Sequence, residues 1–214
     1  MIHYIIPARH GSKGFKHKNR TLLDYTLREI PKEVFPNLYI STDDDHIINT
    51  CKEKEIQHLK RSNETSQDDS SIKSVMVETI INLRLKPDDI IVILYLTYPE
   101  RTWKTVTEIQ NTFLKENLNS LLCKKTPKTN PFLCLFEKDD NKGEQVIRHD
   151  LYRRQDYPKC FELSFYTCIF KVKELKNLNN NMYNKDTYFF KLQDHIDIDS
   201  NSDFINFHNT QREK

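Results

Sequence analysis

Residues 5–19 read Ile-Ile-Pro-Ala-Arg-His-Gly-Ser-Lys-Gly-x3-Lys-Asn. This places two of the chain's three glycines, Gly11 and Gly14, among Arg9, Lys13, Lys16 and Lys18. Glycine admits positive φ and lets backbone come close to a ligand. A strand end, then a glycine-containing loop, then fixed positive charge is how proteins hold a polyphosphate. The stretch therefore predicts a nucleoside triphosphate site, since an ordinary surface loop has no need of three spaced cations around two glycines. It is neither the Gly-x-Gly-x-x-Gly dinucleotide fingerprint nor a Gly-x4-Gly-Lys-Ser/Thr loop, and both of those patterns are absent.

The second chemical feature is Ile196-Asp197-Ile198-Asp199. Read as a strand, it turns both isoleucines to the core and both carboxylates outward together. Carboxylates held that close raise one another's pKa unless a cation lies between them. Magnesium commonly takes one or two protein carboxylates and completes its shell with phosphate oxygens and water. Beside a cationic phosphate loop, Asp197 and Asp199 are thus the candidate metal ligands. A third acidic group, Asp43-Asp44-Asp45, follows Ser41-Thr42. It is a metal motif or the N-terminal cap of the next helix, and capping is the favoured reading.

These residues need elements to position them. Strand and helix patterns alternate through the first 125 residues: strands at 2–6, 38–42, 90–96 and 120–123, helices at 22–30, 46–54, 71–83 and 103–115. The run 90–96 is apolar throughout, as in the middle of a sheet covered on both faces. The alternation implies an α/β fold, a three-layer α/β/α sandwich with a mostly parallel central sheet. Strand patterns at 132–137 and 144–148 flank a turn at 139–143 and predict a protruding hairpin. A core strand is expected at 165–172, an asparagine-rich loop at 174–186, a final short strand at 195–199 and a short helix at 203–209. The asparagines are read there as compositional bias, not chemistry.

Composition bounds the rest. The chain has 214 residues, 37% of them hydrophobic and 30% charged, with a net charge of +2. That suits one folded domain over 1–214. It argues against a dedicated nucleic-acid binder, which would concentrate basic charge. The five cysteines form no Cys-x-x-Cys pair and the eight histidines lack ligand spacing, so reduced thiols and no zinc are expected. No signal-peptide pattern or bilayer-length apolar run occurs, which predicts a soluble, cytoplasmic protein with no membrane partner.

The motif at 5–19 resembles the signature of the acylneuraminate cytidylyltransferases, the CMP-sialic acid synthetases. The resemblance continues in order through Tyr39-Ile40-Ser41-Thr42-Asp43-Asp44, Arg61 with Asp68-Asp69-Ser70-Ser71, the segment 94–102, Arg153-Arg154-Gln155-Asp156-Tyr157-Pro158 and Ile196-Asp197-Ile198-Asp199. It spans residues 2–209. It implies a nucleotide-diphospho-sugar transferase-like fold and transfer of CMP from CTP to the anomeric hydroxyl of a keto-deoxy sugar acid, with release of pyrophosphate. By resemblance, Arg9, Lys13 and Lys18 hold the triphosphate, and Ala8, Gly11, Ser12 and Asn19 complete the nucleotide loop. Arg61 and Ser71 lie near base and ribose. Asp197 and Asp199 hold catalytic Mg2+. Tyr95, Thr97, Arg101, Ser164 and Arg154 fall on the acceptor side. The resemblance also implies a homodimer, with an arm at about 132–160 packing on the partner.

The sequence departs from that family in one half. The Gly-Lys-Pro segment usual after Lys-Asn is missing. Tyr95 stands where the family has a sugar-contacting glutamine, Leu96 replaces proline and Glu100 replaces leucine. Ser164-Phe165-Tyr166-Thr167-Cys168 replaces Asn-Gly-Ala-Ile-Tyr, and His195 replaces a small residue. The triphosphate and metal half is retained while the acceptor half has changed, so different acceptor discrimination is expected. The alternatives are a metal-dependent glycosyltransferase or other sugar nucleotidyltransferase using Asp43–Asp45, and a non-catalytic nucleotide-binding relative.

Overall fold

The computed structural model describes residues 1–11, 14–193 and 195–212. Ser12 and Lys13 of the cationic loop lie outside the described residues. The first half runs β1 (Ile2–Pro7), α1 (Lys18–Glu29), β2 (Leu38–Thr42), α2 (Asp45–Glu53), β3 (Gln57–Lys60), α3 (Ile72–Leu83), β4 (Ile90–Ile93) and α4 (Trp103–Lys115). The second half runs β5 (Ser120–Lys125), β6 (Leu135–Lys138), β7 (Lys142–Gln145), β8 (Glu162–Lys171), β9 (Tyr188–Lys191) and α5 (Asn201–Arg212).

Seven strands form one sheet in the order β3-β2-β1-β4-β8-β5-β9. The β1–β2, β1–β4, β2–β3 and β5–β9 pairs are parallel, and β8 alone runs against its neighbours β4 and β5. The expected mostly parallel, layered α/β fold is therefore what forms. Side chains alternate across the sheet as a period of two requires. Tyr4, Ile6, Val92 and Leu94 join a cluster with Leu22 and Leu27 of α1, Ile47 of α2, Ile109 of α4 and Phe207 of α5. Ile5, Ile91 and Ile93 face the other way, against Val75 and Met76 of α3 and Leu175, Leu178 and Met182.

Several features differ from the sequence expectation, among them the bounds of α1, β4 and the hairpin strands. The segment 195–199 is not a strand; the last strand is β9, parallel to β5. Its isoleucines still meet the core: Ile198 is buried, its N–H donating to the Thr97 carbonyl at 2.8 Å, and Ile196 packs partly buried against the same cluster. The polar edge strand β3 was not expected, because Gln57-His58-Leu59-Lys60 has little apolar content. The strand expected at 165–172 begins earlier, at Glu162, and carries a register shift against β5 where Leu122 pairs with Cys168 but Cys123 with Ser164. The hairpin β6–β7 forms its own two-stranded sheet.

Candidate active site

In open α/β sheets, ligands bind beyond the carboxyl ends of strands where the strand order reverses. Here that point lies between β1 and β4, since the chain moves outward from β1 to β2 and β3 and then returns to its other side. The cationic loop leaves the end of β1. Ala8 N–H donates to the Ser41 carbonyl at 2.8 Å, so the loop starts as an extension of the β1–β2 pair. Gly11 takes φ +77° and His17, capping α1, takes φ 60°, so two left-handed residues bend the chain into the helix. The helix starts at Lys18, earlier than expected, which puts Lys18 and Asn19 on its first turn. The Asn19 side-chain amide donates to the Arg9 carbonyl at 2.9 Å and so pins the loop, a positioning contact.

The segment Ile196–Asp199 is brought to this loop. Lys18 Nζ lies 3.2 Å from Asp199 Oδ1 and 3.3 Å from the Ile198 carbonyl. Gly14 faces the backbone of Asp199 so closely that an added Cβ would sit 2.7 Å from its carbonyl oxygen. The second clustered glycine is thus required by packing between the cationic loop and the acidic segment. Arg9 pairs with Asp68, and Arg9 also stands close enough to Arg61 for their charges to interact.

The two acids of the segment occupy different surroundings, which corrects the picture of two carboxylates turned outward together. Asp199 is exposed. Asp197 is turned inward and accepts a 2.8 Å hydrogen bond from the Tyr98 hydroxyl. Burial raises the pKa of Asp197 and the charge of Asp199 adds to the rise, while hydrogen bonds from Thr97 and Tyr98 oppose it. This is a carboxylate pair whose ionisation a divalent cation would relieve. Oxygen donors suit magnesium. Among the described residues no three His, Cys, Asp or Glu side chains converge into a metal-binding group.

Tyr98 is the residue that sequence reasoning left without a role. It is buried, and its oxygen accepts from Phe165 N at 3.1 Å while Ser164 Oγ lies 3.4 Å away. One hydroxyl thereby ties Asp197 to the irregular part of β8. Its place in Leu-Thr-Tyr-Pro, inside the motif at 94–102, was the available signal. Burial, and next the Asp197 charge, push the Tyr98 pKa up, which keeps the hydroxyl a donor.

The remaining predicted residues separate into two groups. A cleft of about 490 Å³ is lined by Asp69, Ser71, Tyr95, Thr97, Asp197 and Asp199 among others, bringing expected nucleotide-side, acceptor-side and metal residues together. Ser71 also caps α3 by accepting from Ser74 N at 3.1 Å. Asp197 borders a second cleft of about 450 Å³ with Lys125, Lys128 and His195. Arg61 is buried, with Nε 3.1 Å from Ser41 Oγ and Nη1 3.3 Å from the Thr65 carbonyl. Burial lowers its pKa to about 10, partly offset by Asp43, so it remains a cation at neutral pH. Arg101 is 2% exposed and donates to the Tyr95 and Tyr166 carbonyls. It thereby satisfies a carbonyl inside the shifted stretch of β8, a need that a buried backbone oxygen imposes. Ser164 is buried behind Tyr98, and Arg154 is exposed on a short turn far along the chain from the loop.

The acidic run Asp43–Asp45 is spent on structure. Asp44 caps α2, accepting from His46 N at 2.9 Å and Ile47 N at 3.4 Å. Arg20 Nε at 2.8 Å and His10 Nδ1 at 3.1 Å flank its other oxygen. Burial works against the charge, but these hydrogen bonds outweigh it and hold the Asp44 pKa at about 2. Asp43 accepts from His10 N at 2.6 Å.

The chain can now be placed among known proteins. It is 26% identical over 212 residues to post-translational flagellin modification protein B of Campylobacter coli, covering 93% of this chain and 90% of that protein. It is 25% identical, with the same coverage, to CMP-N,N'-diacetyllegionaminic acid synthase of Campylobacter jejuni. Its fold superposes on a CMP:2-keto-3-deoxy-manno-octonic acid synthetase solved with CTP at a TM-score of 0.68, covering 99% of this chain and 98% of that one at 11% identity. Residues 3–202 match the cytidylyltransferase family, and the chain therefore belongs to that family of nucleotidyltransferases.

Proposed function

We propose that this protein transfers CMP from CTP to the anomeric hydroxyl of a sialic-acid-like keto-deoxy sugar acid. The observation that carries the reading is the meeting of the cationic loop with the acidic segment, Lys18 against Asp199 and Gly14 against the Asp199 backbone. A triphosphate needs the first and its metal needs the second. The relatives named as a legionaminic acid synthase and an octonic acid synthetase support an acidic sugar as acceptor.

In the reaction, the anomeric oxygen forms a bond to the α-phosphorus. The bond from that phosphorus to the oxygen bridging to the β-phosphate breaks, pyrophosphate leaves, and the hydroxyl proton passes to solvent. Such a transfer is mostly positioning and charge stabilisation. Arg9, Lys13 and Lys18 offset the charge that grows on the leaving group. Asn19 keeps the loop in register. Arg61, fixed as a buried cation, and Ser71 lie on the nucleoside side, and Tyr95 and Thr97 on the acceptor side, with Arg101 and Ser164 positioning them from behind and Arg154 reaching from the arm toward the partner's site. Asp197 and Asp199 would hold Mg2+, which when bound polarises the phosphate oxygens. We assign the protein to the cytoplasm, a setting that suits five free cysteines. We also assign a homodimer, with the hairpin β6–β7 on the partner.

The test replaces each acid pair in turn. Asp197→Asn or Asp199→Asn should lower turnover on the order of a hundredfold or more, because metal stabilisation of several kcal/mol is lost. Asp43→Asn with Asp45→Asn should leave most of it. The reverse pattern would transfer the metal to the capping run and favour a glycosyltransferase-like site.

A further inference from the structure

The cleft that holds Asp197 and Asp199 has a further wall, formed by Asn180, Asn181 and Phe165. The asparagines belong to the run that composition alone makes look inert. In the structure that run is built. Asn179 Oδ1 accepts from Asn181 N at 2.9 Å and Tyr183 N at 3.1 Å, and Asn184 Nδ2 donates to Glu174 Oε1 at 2.7 Å. Leu178 and Met182 are buried on either side of the turn, and Lys73 donates to the Leu178 carbonyl. Met182 adopts φ 65°. Its fully buried side chain holds that left-handed conformation in place. The turn is therefore held from both ends, while Asn180 and Asn181 stay exposed and their side-chain amides make no hydrogen bond among the described residues.

Two primary amides on a fixed turn each offer donors and an acceptor but no charge. Beside them Tyr95 packs on Phe165 with ring centroids 5.6 Å apart, and the buried Tyr95 hydroxyl has no hydrogen-bond partner among the described residues. The charged side chains lining this cleft among the described residues are Asp69, Asp197 and Asp199, and Lys18 beside it is paired with Asp199, so the wall at Asn180 and Asn181 favours a neutral group over a second anion. A neutral group with one donor, one acceptor and an apolar end matches all of these walls. We infer that Asn180 and Asn181 select the acceptor by hydrogen bonding to an acylamino substituent, whose alkyl end lies against the Tyr95–Phe165 pair.

This inference rests on the cytidylyltransferase reading with a sugar-acid acceptor, and its test separates the two. Asn180→Ala, Asn181→Ala and the double variant are assayed with CTP, Mg2+ and two acids, N-acetylneuraminic acid and the acylamino-free 2-keto-3-deoxy-manno-octonic acid. The double variant should raise KM for the acylated acid about tenfold, with KM for CTP unchanged and the other acid unaffected. Equal KM for the acylated acid in variant and wild type overturns the inference, as does an equal rise for both acids. In parallel, side-chain amide resonances of Asn180 and Asn181 are followed during titration of the wild-type protein with each acid. They should shift with N-acetylneuraminic acid and not with the octonic acid; no shift with N-acetylneuraminic acid overturns the inference even if no turnover occurs. Absence of turnover with both acids, with the shift present, counts against the catalytic reading alone.

Discussion

At the residue scale, the site is an arrangement of charges whose spacing was visible in the sequence and whose orientation was not. Arg9, Lys18 and the pair Asp197 and Asp199 could be named from type and order. That Asp197 turns inward could not, because the partner that turns it, Tyr98, lies 99 positions away in the chain. Tyr98 orients a carboxylate that would hold metal, and such outer contacts typically change metal affinity by about 10–100-fold when removed. Tyr98→Phe should therefore raise the Mg2+ concentration giving half-maximal rate by roughly tenfold or more. It should also cost about 1–3 kcal/mol in urea unfolding, because Phe165 N–H loses its acceptor. A variant with normal magnesium dependence would show that Asp197 needs no such support. Arg101 makes the same point about reading sequences. Its place in the motif at 94–102 suggested the acceptor, whereas the structure has it donating to two backbone carbonyls at the irregular stretch of β8.

At the element scale, α2 shows how a motif with two chemical readings is decided by geometry. Asp44 spends its oxygens on two helix amides, Arg20 and His10. Its pKa of about 2 lies below the usual 3.8, so the folded state favours the ionised form. That stability is fully present above pH 4 and is lost as pH falls through about 2. Asp44→Ala should destabilise the protein at neutral pH by about 0.5–2 kcal/mol as a lost cap. Asp44→Asn should flatten the pH dependence of stability between pH 4 and 2, measured by denaturant midpoint at each pH. An unchanged slope there would remove Asp44 as its source. Elements with strong apolar periodicity, such as β2 and α4, were legible to the residue. The polar edge strand β3 and the reversed strand β8 were not, because an edge strand needs little apolar content and strand direction leaves no local mark. The alternation in Ile196–Asp199 suggested a strand; both isoleucines do meet the core, Ile198 buried and Ile196 partly so, but the segment pairs with no neighbour as a strand.

At the scale of the whole molecule, the seven-stranded sheet brings residues 5–11, 14–19, 61–71, 94–101 and 195–199 to one end, and the layered α/β architecture was already implied by the alternation of patterns. No helix among the described residues is long and apolar enough to cross a membrane. The hairpin β6–β7 stands apart from the sheet and exposes apolar side chains, with Leu135 62% and Phe136 55% exposed. Clustered exposed apolar side chains of this kind mark interaction surfaces. Leu135→Asp with Phe136→Asp should convert a dimer to monomer in sedimentation velocity; a wild-type protein that is monomeric at working concentration would contradict the dimer. The central claim concerns chemistry. Its most direct test is pyrophosphate release with Mg2+, each of the four nucleoside triphosphates and a panel of keto-deoxy sugar acids. The account predicts release with CTP, dependent on an acidic sugar and matched by formation of the CMP-linked sugar. Release without any sugar, release with another triphosphate in place of CTP, or none from folded protein across the panel would contradict it.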